Sequence, residues 1–259
     1  MIAEEYPYVV ALLDGTRTYV CSGTIINERT VLTSGTCLTK ELRYVAVAVA
    51  AFDRAIGNNT LFSVAFKRIH GDYALELSPD SPEQITRMQN NIGLVFTVKA
   101  QFELFINSPD IGNYVTTDLV QSELTAVGYG KLNKRVVALQ KQIYHQEPCA
   151  KTNCHYCVCG IEDVTNSKTY MEPFGEGAPI LLGSLVVGIA TFPTGSLTTT
   201  NGKTVYNMFT VTGPYLNWIN NSHSESPMRF VSQEHQINFQ RRITEECLYL
   251  CVFVIKVIY

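Results

Sequence analysis

Val31-Leu32-Thr33-Ser34-Gly35-Thr36-Cys37 decides the fold of this chain once it is read with two later stretches, Asn90-Asn91-Ile92-Gly93-Leu94 and Phe174-Gly175-Glu176-Gly177-Ala178-Pro179. Outward from these, β-branched and aromatic runs such as 44–51 and 61–69 are separated by Gly, Asn, Asp and Pro clusters, the pattern of short strands joined by turns. Tyr6, Tyr8, Phe52 and Phe62 read as core of such a fold. Helical periodicity is absent until 215–221. With 259 residues, 46% of them hydrophobic, the chain can bury a large core, and the pattern calls for an antiparallel sandwich or barrel. A net charge of −3 without a basic stripe argues against a nucleic-acid surface.

The three stretches resemble motifs of the trypsin-like serine proteases, the chymotrypsin-like family. Residues 31–37 are similar to V-L-T-A-A-H-C, residues 90–94 to N-D-I-A-L, and residues 174–179 to G-D-S-G-G-P. Other features keep the family's order. Tyr6-Pro7-Tyr8 resembles the first strand, Cys21-Ser22-Gly23-Thr24-Ile25-Ile26 the segment C-x-G-x-L-I, and Arg68-Ile69-His70-Gly71-Asp72-Tyr73 the segment I-x-x-H-P-x-Y. Val127-Gly128-Tyr129-Gly130 resembles S-G-W-G and Gly188-Ile189-Ala190-Thr191-Phe192 resembles G-I-V-S-W. Phe209-Thr210, Tyr215-Leu216 and Trp218-Ile219 keep the gaps of the closing motif. The resemblance implies an all-β fold of two six-stranded antiparallel barrels with a short C-terminal helix. It places one protease-like domain over residues 1–221, with the first barrel at about 1–112 and the second at about 113–221, followed by a tail at 222–259.

The same resemblance implies that the chemistry is gone. Thr36 stands at the histidine position, Asn91 at the aspartate position and Glu176 at the position of the nucleophilic serine. Serine acyl transfer needs a hydroxyl, a base to deprotonate it and donors for the oxyanion. Thr36 is no base near neutral pH, and Glu176 would set a carboxylate where negative charge must develop, the reverse of electrostatic stabilisation. Phe174 replaces an oxyanion-site glycine. Gly175 replaces the aspartate that pairs with the new amino terminus on activation. Tyr170 and Glu172 replace specificity-pocket residues, and Pro193, after Thr191 and Phe192, offers no N–H to a substrate backbone. None of the five histidines is an evident substitute base. Glu176, Glu172 and Asp163 are expected as solvated or hydrogen-bonded loop carboxylates, not as a catalytic or calcium-binding set.

Eight cysteines and the sequons Asn58-Asn59-Thr60 and Asn220-Asn221-Ser222 point to an oxidising, extracellular compartment. Residues 1–5 carry neither a basic start nor an apolar stretch, so secretion implies a start missing from this chain. The resemblance implies a disulfide between Cys21 and Cys37. Cys149, Cys154, Cys157 and Cys159, with His155, admit a zinc reading. Their spacing is not a recurrent zinc pattern, and the family has a disulfide joining the Cys149 position to a cysteine near Cys157 or Cys159. Cys149 and Cys157 are therefore expected in disulfides, with the exact pairing open and no metal or cofactor expected. The tail runs from a polar linker to an apolar end at 248–259, whose twelve residues fall short of the roughly 20 a membrane helix needs. The functional expectation is a secreted, non-catalytic protease homologue that binds other proteins, among them active proteases, zymogens or inhibitors, as cofactor, scaffold or decoy. The alternatives are a weakly active or re-purposed peptidase, or a degenerate gene product without a selected role.

Overall fold

The computed structural model describes residues 2–47, 51–52, 61–79, 81–98, 102, 108–132, 136–147, 153–154, 156–162, 175–192, 198–199, 202–203 and 206–224. Cys149, His155, Asp163, Tyr170, Glu172, Phe174, Pro193 and the tail beyond Ser224 lie outside them.

The elements run α1 (Ile2–Glu5), β1 (Val9–Leu13), β2 (Tyr19–Asn27), β3 (Thr30–Thr33), α2 (Gly35–Thr39), β4 (Tyr44–Ala46), β5 (Ala51–Phe52), β6 (Leu61–Ile69), β7 (Ala74–Ser78), β8 (Ser81–Gln89) and β9 (Gly93–Thr97). They continue with β10 (Glu123–Leu132), β11 (Val136–Glu147), β12 (Asn153–Cys154), β13 (Cys157–Glu162), β14 (Pro179–Leu182), β15 (Leu185–Phe192), β16 (Thr198–Thr199), β17 (Gly202–Lys203), β18 (Tyr206–Val211) and α3 (Leu216–Ser224). Strands dominate because apolar and β-branched residues pack well on a pleated surface.

Two closed six-stranded antiparallel barrels result. The first closes in the order β1-β2-β3-β9-β6-β4. The second follows β10-β14-β15-β18-β13-β11 and closes through the β10–β11 pairing, with β5 added outside β11. Closure removes the exposed sheet edges that invite aggregation. Val10, Leu12, Cys21, Ile25, Val31 and Val95 are among the residues that fill the first barrel. Leu124, Tyr144, Val158, Ile180, Val187 and Phe209 are among those that fill the second. Tyr6, Tyr8 and Phe62 are half-buried at the barrel margin, with Tyr8 and Phe62 packed on the first core, so these aromatics wall the core and do not fill it.

β1 is buried at all five positions instead of alternating, because its outer face lies against β10 of the second barrel. The hairpin β7–β8 adds β12 in parallel through Arg87↔Asn153 and Met88↔Cys154. Met88 packs beside Cys157, Cys159 and Met208 of the second barrel, so the hairpin ties the two barrels together. Both barrels belong to one compact unit, Met1–Asn217, and α3 runs from its end into a second, Trp218–Tyr259.

Candidate functional site at the barrel junction

α2 opens at Ser34, whose hydroxyl caps the helix by accepting from the Cys37 N–H at 3.1 Å. That short helix hangs Thr36 over Asn91. The Asn91 Oδ1 accepts from the Thr36 N–H at 2.8 Å and from its hydroxyl at 3.1 Å. The Asn91 Nδ2 points the other way, donating to the Thr191 carbonyl at 3.4 Å and towards the Met88 sulfur at 3.3 Å. Thr36 Oγ1 also lies 3.1 Å from the Tyr73 hydroxyl. Asn91 is 1% exposed, and every polar atom of its amide is used.

Glu176 lies on the turn before β14 and is 9% exposed. Its Oε1 accepts from the Ser34 hydroxyl at 3.1 Å, and its Oε2 pairs with the Lys40 ammonium at 3.2 Å. Burial raises the Glu176 carboxyl above the ordinary carboxylate range; the Lys40 charge and hydrogen bonds from Lys40, Ser34 and Thr36 pull against that rise. The three positions singled out in the sequence therefore lie together: the Thr36 hydroxyl bonds to Asn91, and its side chain is among the groups that lower the Glu176 carboxyl. Glu176 is hydrogen-bonded and not solvated. Its carboxylate is held by a lysine and a serine that sequence reading did not single out.

The turn is bolted to both barrels, to β2 of the first and to β10 and β15 of the second. The Glu176 carbonyl accepts from the Ser22 N–H at 2.8 Å, the Gly175 N–H donates to the Tyr129 carbonyl at 2.8 Å, and the Gly177 N–H donates to the Ala190 carbonyl at 2.7 Å. Tyr19 completes the lock: its hydroxyl donates to the Tyr129 carbonyl at 3.0 Å and lies 3.0 Å from the Ser22 hydroxyl. Burial pushes the Tyr19 phenol well up, so it remains a neutral donor. A side chain at Gly175 would overlap the Tyr19 hydroxyl and the Tyr129 carbonyl. Gly177 takes φ +87°, and a Cβ there would strike the Ser22 carbonyl and the Thr33 hydroxyl.

Thr191 is fully buried with its hydroxyl donating to the Met208 carbonyl at 3.0 Å, and Phe192 ends β15 opposite Met208. The described imidazoles stand in other settings. His70 lies edge-on to Tyr215 with centroids 5.5 Å apart and accepts from the Asp72 N–H through Nδ1. His145 pairs with Glu123 across β10–β11.

Cys21 and Cys37 form a disulfide, as the resemblance implied. Their sulfurs lie within 4.8 Å of the Glu176 carboxylate, but a disulfide offers no thiolate, so the trio is not a metal centre. Cys157 and Cys159 are both disulfide-bonded, which takes two thiolates away from the zinc reading of that cluster. No helix among the described residues is long and apolar enough to cross a membrane.

The model of the family described as Trypsin matches residues 2–219. Among solved structures, the chain is similar to kallikrein-related peptidase 10 in complex with Zn2+, with a TM-score of 0.62 at 14% identity over 85% of this chain and 97% of that one. A further structure of kallikrein-related peptidase 10 gives 0.59 at the same identity and coverage. At that identity the likeness speaks for the fold alone. No curated protein matches the chain.

Proposed function

The chain belongs to the trypsin family, and from that premise we propose that it is a secreted, non-catalytic member that acts by binding other proteins as a cofactor, scaffold or decoy in a proteolytic cascade. The observation that carries the reading is the state of Glu176. At the position that resembles the serine nucleophile's, a buried carboxylate is neutralised by Lys40 and bonded to Ser34. It has no hydroxyl to attack with, and its neighbours Thr36 and Asn91 hold each other instead of a base. Loss of a whole triad costs about a millionfold in turnover. Such a cluster links the two barrels at their junction.

Secretion is supported by the disulfide chemistry of Cys21, Cys37, Cys157 and Cys159, which persists in oxidising compartments. The partners that fit are other proteins of a proteolytic system: active proteases, their zymogens or their inhibitors. The test is capture. The chain is expressed through an oxidising pathway, immobilised, and cross-linked to its native extracellular fluid, and bound proteins are identified by mass spectrometry. Recovery of a protease, zymogen or inhibitor is expected; recovery equal to that on a denatured control would contradict the proposal.

A further inference from the structure

We propose that Asn220 is an acceptor for an N-linked glycan, attached before the chain folds. The motif Asn220-Asn221-Ser222 satisfies the acceptor pattern, an asparagine followed two residues later by a hydroxyl. In the fold it lies on α3, where Asn217, Asn220 and Asn221 form an exposed, uncharged polar face and Ile219 and Ser222 are buried. A glycan on the Asn220 Nδ2 therefore projects into solvent without displacing a packed group. Disulfides at Cys21–Cys37 and at Cys157 and Cys159 put the chain's maturation in the oxidising compartment where such glycans are transferred. The inference thus rests on the secretion part of the proposed function.

The timing follows from the same helix. Positions two apart on an α-helix point about 200° from each other, so Asn220 faces solvent while Ser222 is 3% exposed. A transferase that must engage both side chains cannot do so on folded α3. The transfer is a displacement. The Asn220 amide nitrogen bonds to the anomeric carbon of a lipid-linked oligosaccharide, the bond from that carbon to pyrophosphate breaks, the lipid pyrophosphate leaves, and the amide proton passes to a base of the transferase.

The test expresses the full chain behind a secretory leader in eukaryotic cells, as wild type, Asn58→Gln, Asn220→Gln and the double variant. The purified proteins are treated with peptide-N-glycosidase and analysed by intact mass and peptide mapping. Asn58→Gln is expected to lose one glycan mass on treatment, with Asn220 converted to aspartate, and the double variant to lose none. Asn221→Gln keeps the acceptor pattern and is expected to keep the glycan. An unmodified Asn220 in secreted Asn58→Gln protein would overturn the proposal while leaving the binding function intact; retention of the native protein inside cells would count against the secretion reading instead. For timing, non-glycosylated protein offered to a microsomal transferase is expected to be modified only after reduction and unfolding. Equal modification of folded protein would refute attachment before folding.

Discussion

Replacing Lys40 by methionine isolates the ion pair that neutralises Glu176. The Lys40 ammonium lies 3.2 Å from Oε2. At an effective dielectric of about 20 the gross attraction at that separation is about 5 kcal/mol. The lysine side chain is 46% exposed and the carboxylate 8%, so water screens one partner, and desolvation of the other offsets much of the gain. A net loss of about 1–2 kcal/mol at neutral pH follows, below the 3–5 kcal/mol of a wholly buried broken pair. For a domain of this size that lowers Tm by about 2–8 °C.

The pH dependence carries the diagnosis. Burial already holds the Glu176 carboxyl above its unfolded value, and loss of the lysine raises it further. The folded state then keeps this proton at a pH where the unfolded chain has released it. Stability falls as pH rises from the unfolded towards the folded value. Below both values the carboxyl is neutral and still bonded to Ser34, so the cost of Lys40→Met disappears. Calorimetric melts at about pH 7.5, above the carboxylate range, and at about pH 4, just below the unfolded value of a glutamate, are compared for wild type, Lys40→Met, Glu176→Gln and the double variant. The expected result is a loss for Lys40→Met at the higher pH alone, and a clear coupling between the two substitutions. An equal loss at both pH values, or zero coupling, would refute the reasoning.

Other expectations follow from the same junction. Gly175→Ala should cost about 1–3 kcal/mol in chemical denaturation, because its methyl overlaps the Tyr19 hydroxyl, and Tyr19→Ala should relieve part of that cost; strict additivity would contradict the overlap. Tyr19→Phe removes the donor to the Tyr129 carbonyl and should lose about 1–3 kcal/mol, read by urea unfolding. Replacing Cys21 and Cys37 by alanine opens a loop with a sequence separation of 16, at a cost of about 3 kcal/mol by the chain-entropy estimate. Glu176→Ser alone should give no labelling by a fluorophosphonate probe, since Thr36 and Asn91 supply no base.

The fold was legible because its signals are local. The run at 61–69 is β6 to the residue, and of Tyr215–Asn221 all but Tyr215, which ends the preceding 3-10 turn, lies in α3. Of the run at 44–51, the described residues include β4 at Tyr44–Ala46 and, at Ala51, the start of β5. β8 was not legible: Ser81-Pro82-Glu83-Gln84 is polar and carries a proline, and its strand state comes from pairing with β7 and, at Arg87–Met88, with β12. At the site, Thr36 and Asn91 could be paired from their motifs. Lys40 and Tyr19 could not, since they reach Glu176 and Tyr129 across 136 and 110 residues. One local trace of Ser34 existed, a hydroxyl where the family motif has alanine, although only the folded helix shows it bonded to Glu176. Glu176 itself was expected as either solvated or bonded, and the packing of the turn against Ser22 decides for the latter.

Turnover tests the central claim most directly. Purified full-length chain of verified sequence is incubated with a diverse peptide library at several pH values, with and without a serine-directed inhibitor. No cleavage above that of an inhibitor-treated or heat-denatured control is predicted. Cleavage that scales with protein concentration and stops with the inhibitor would contradict the account.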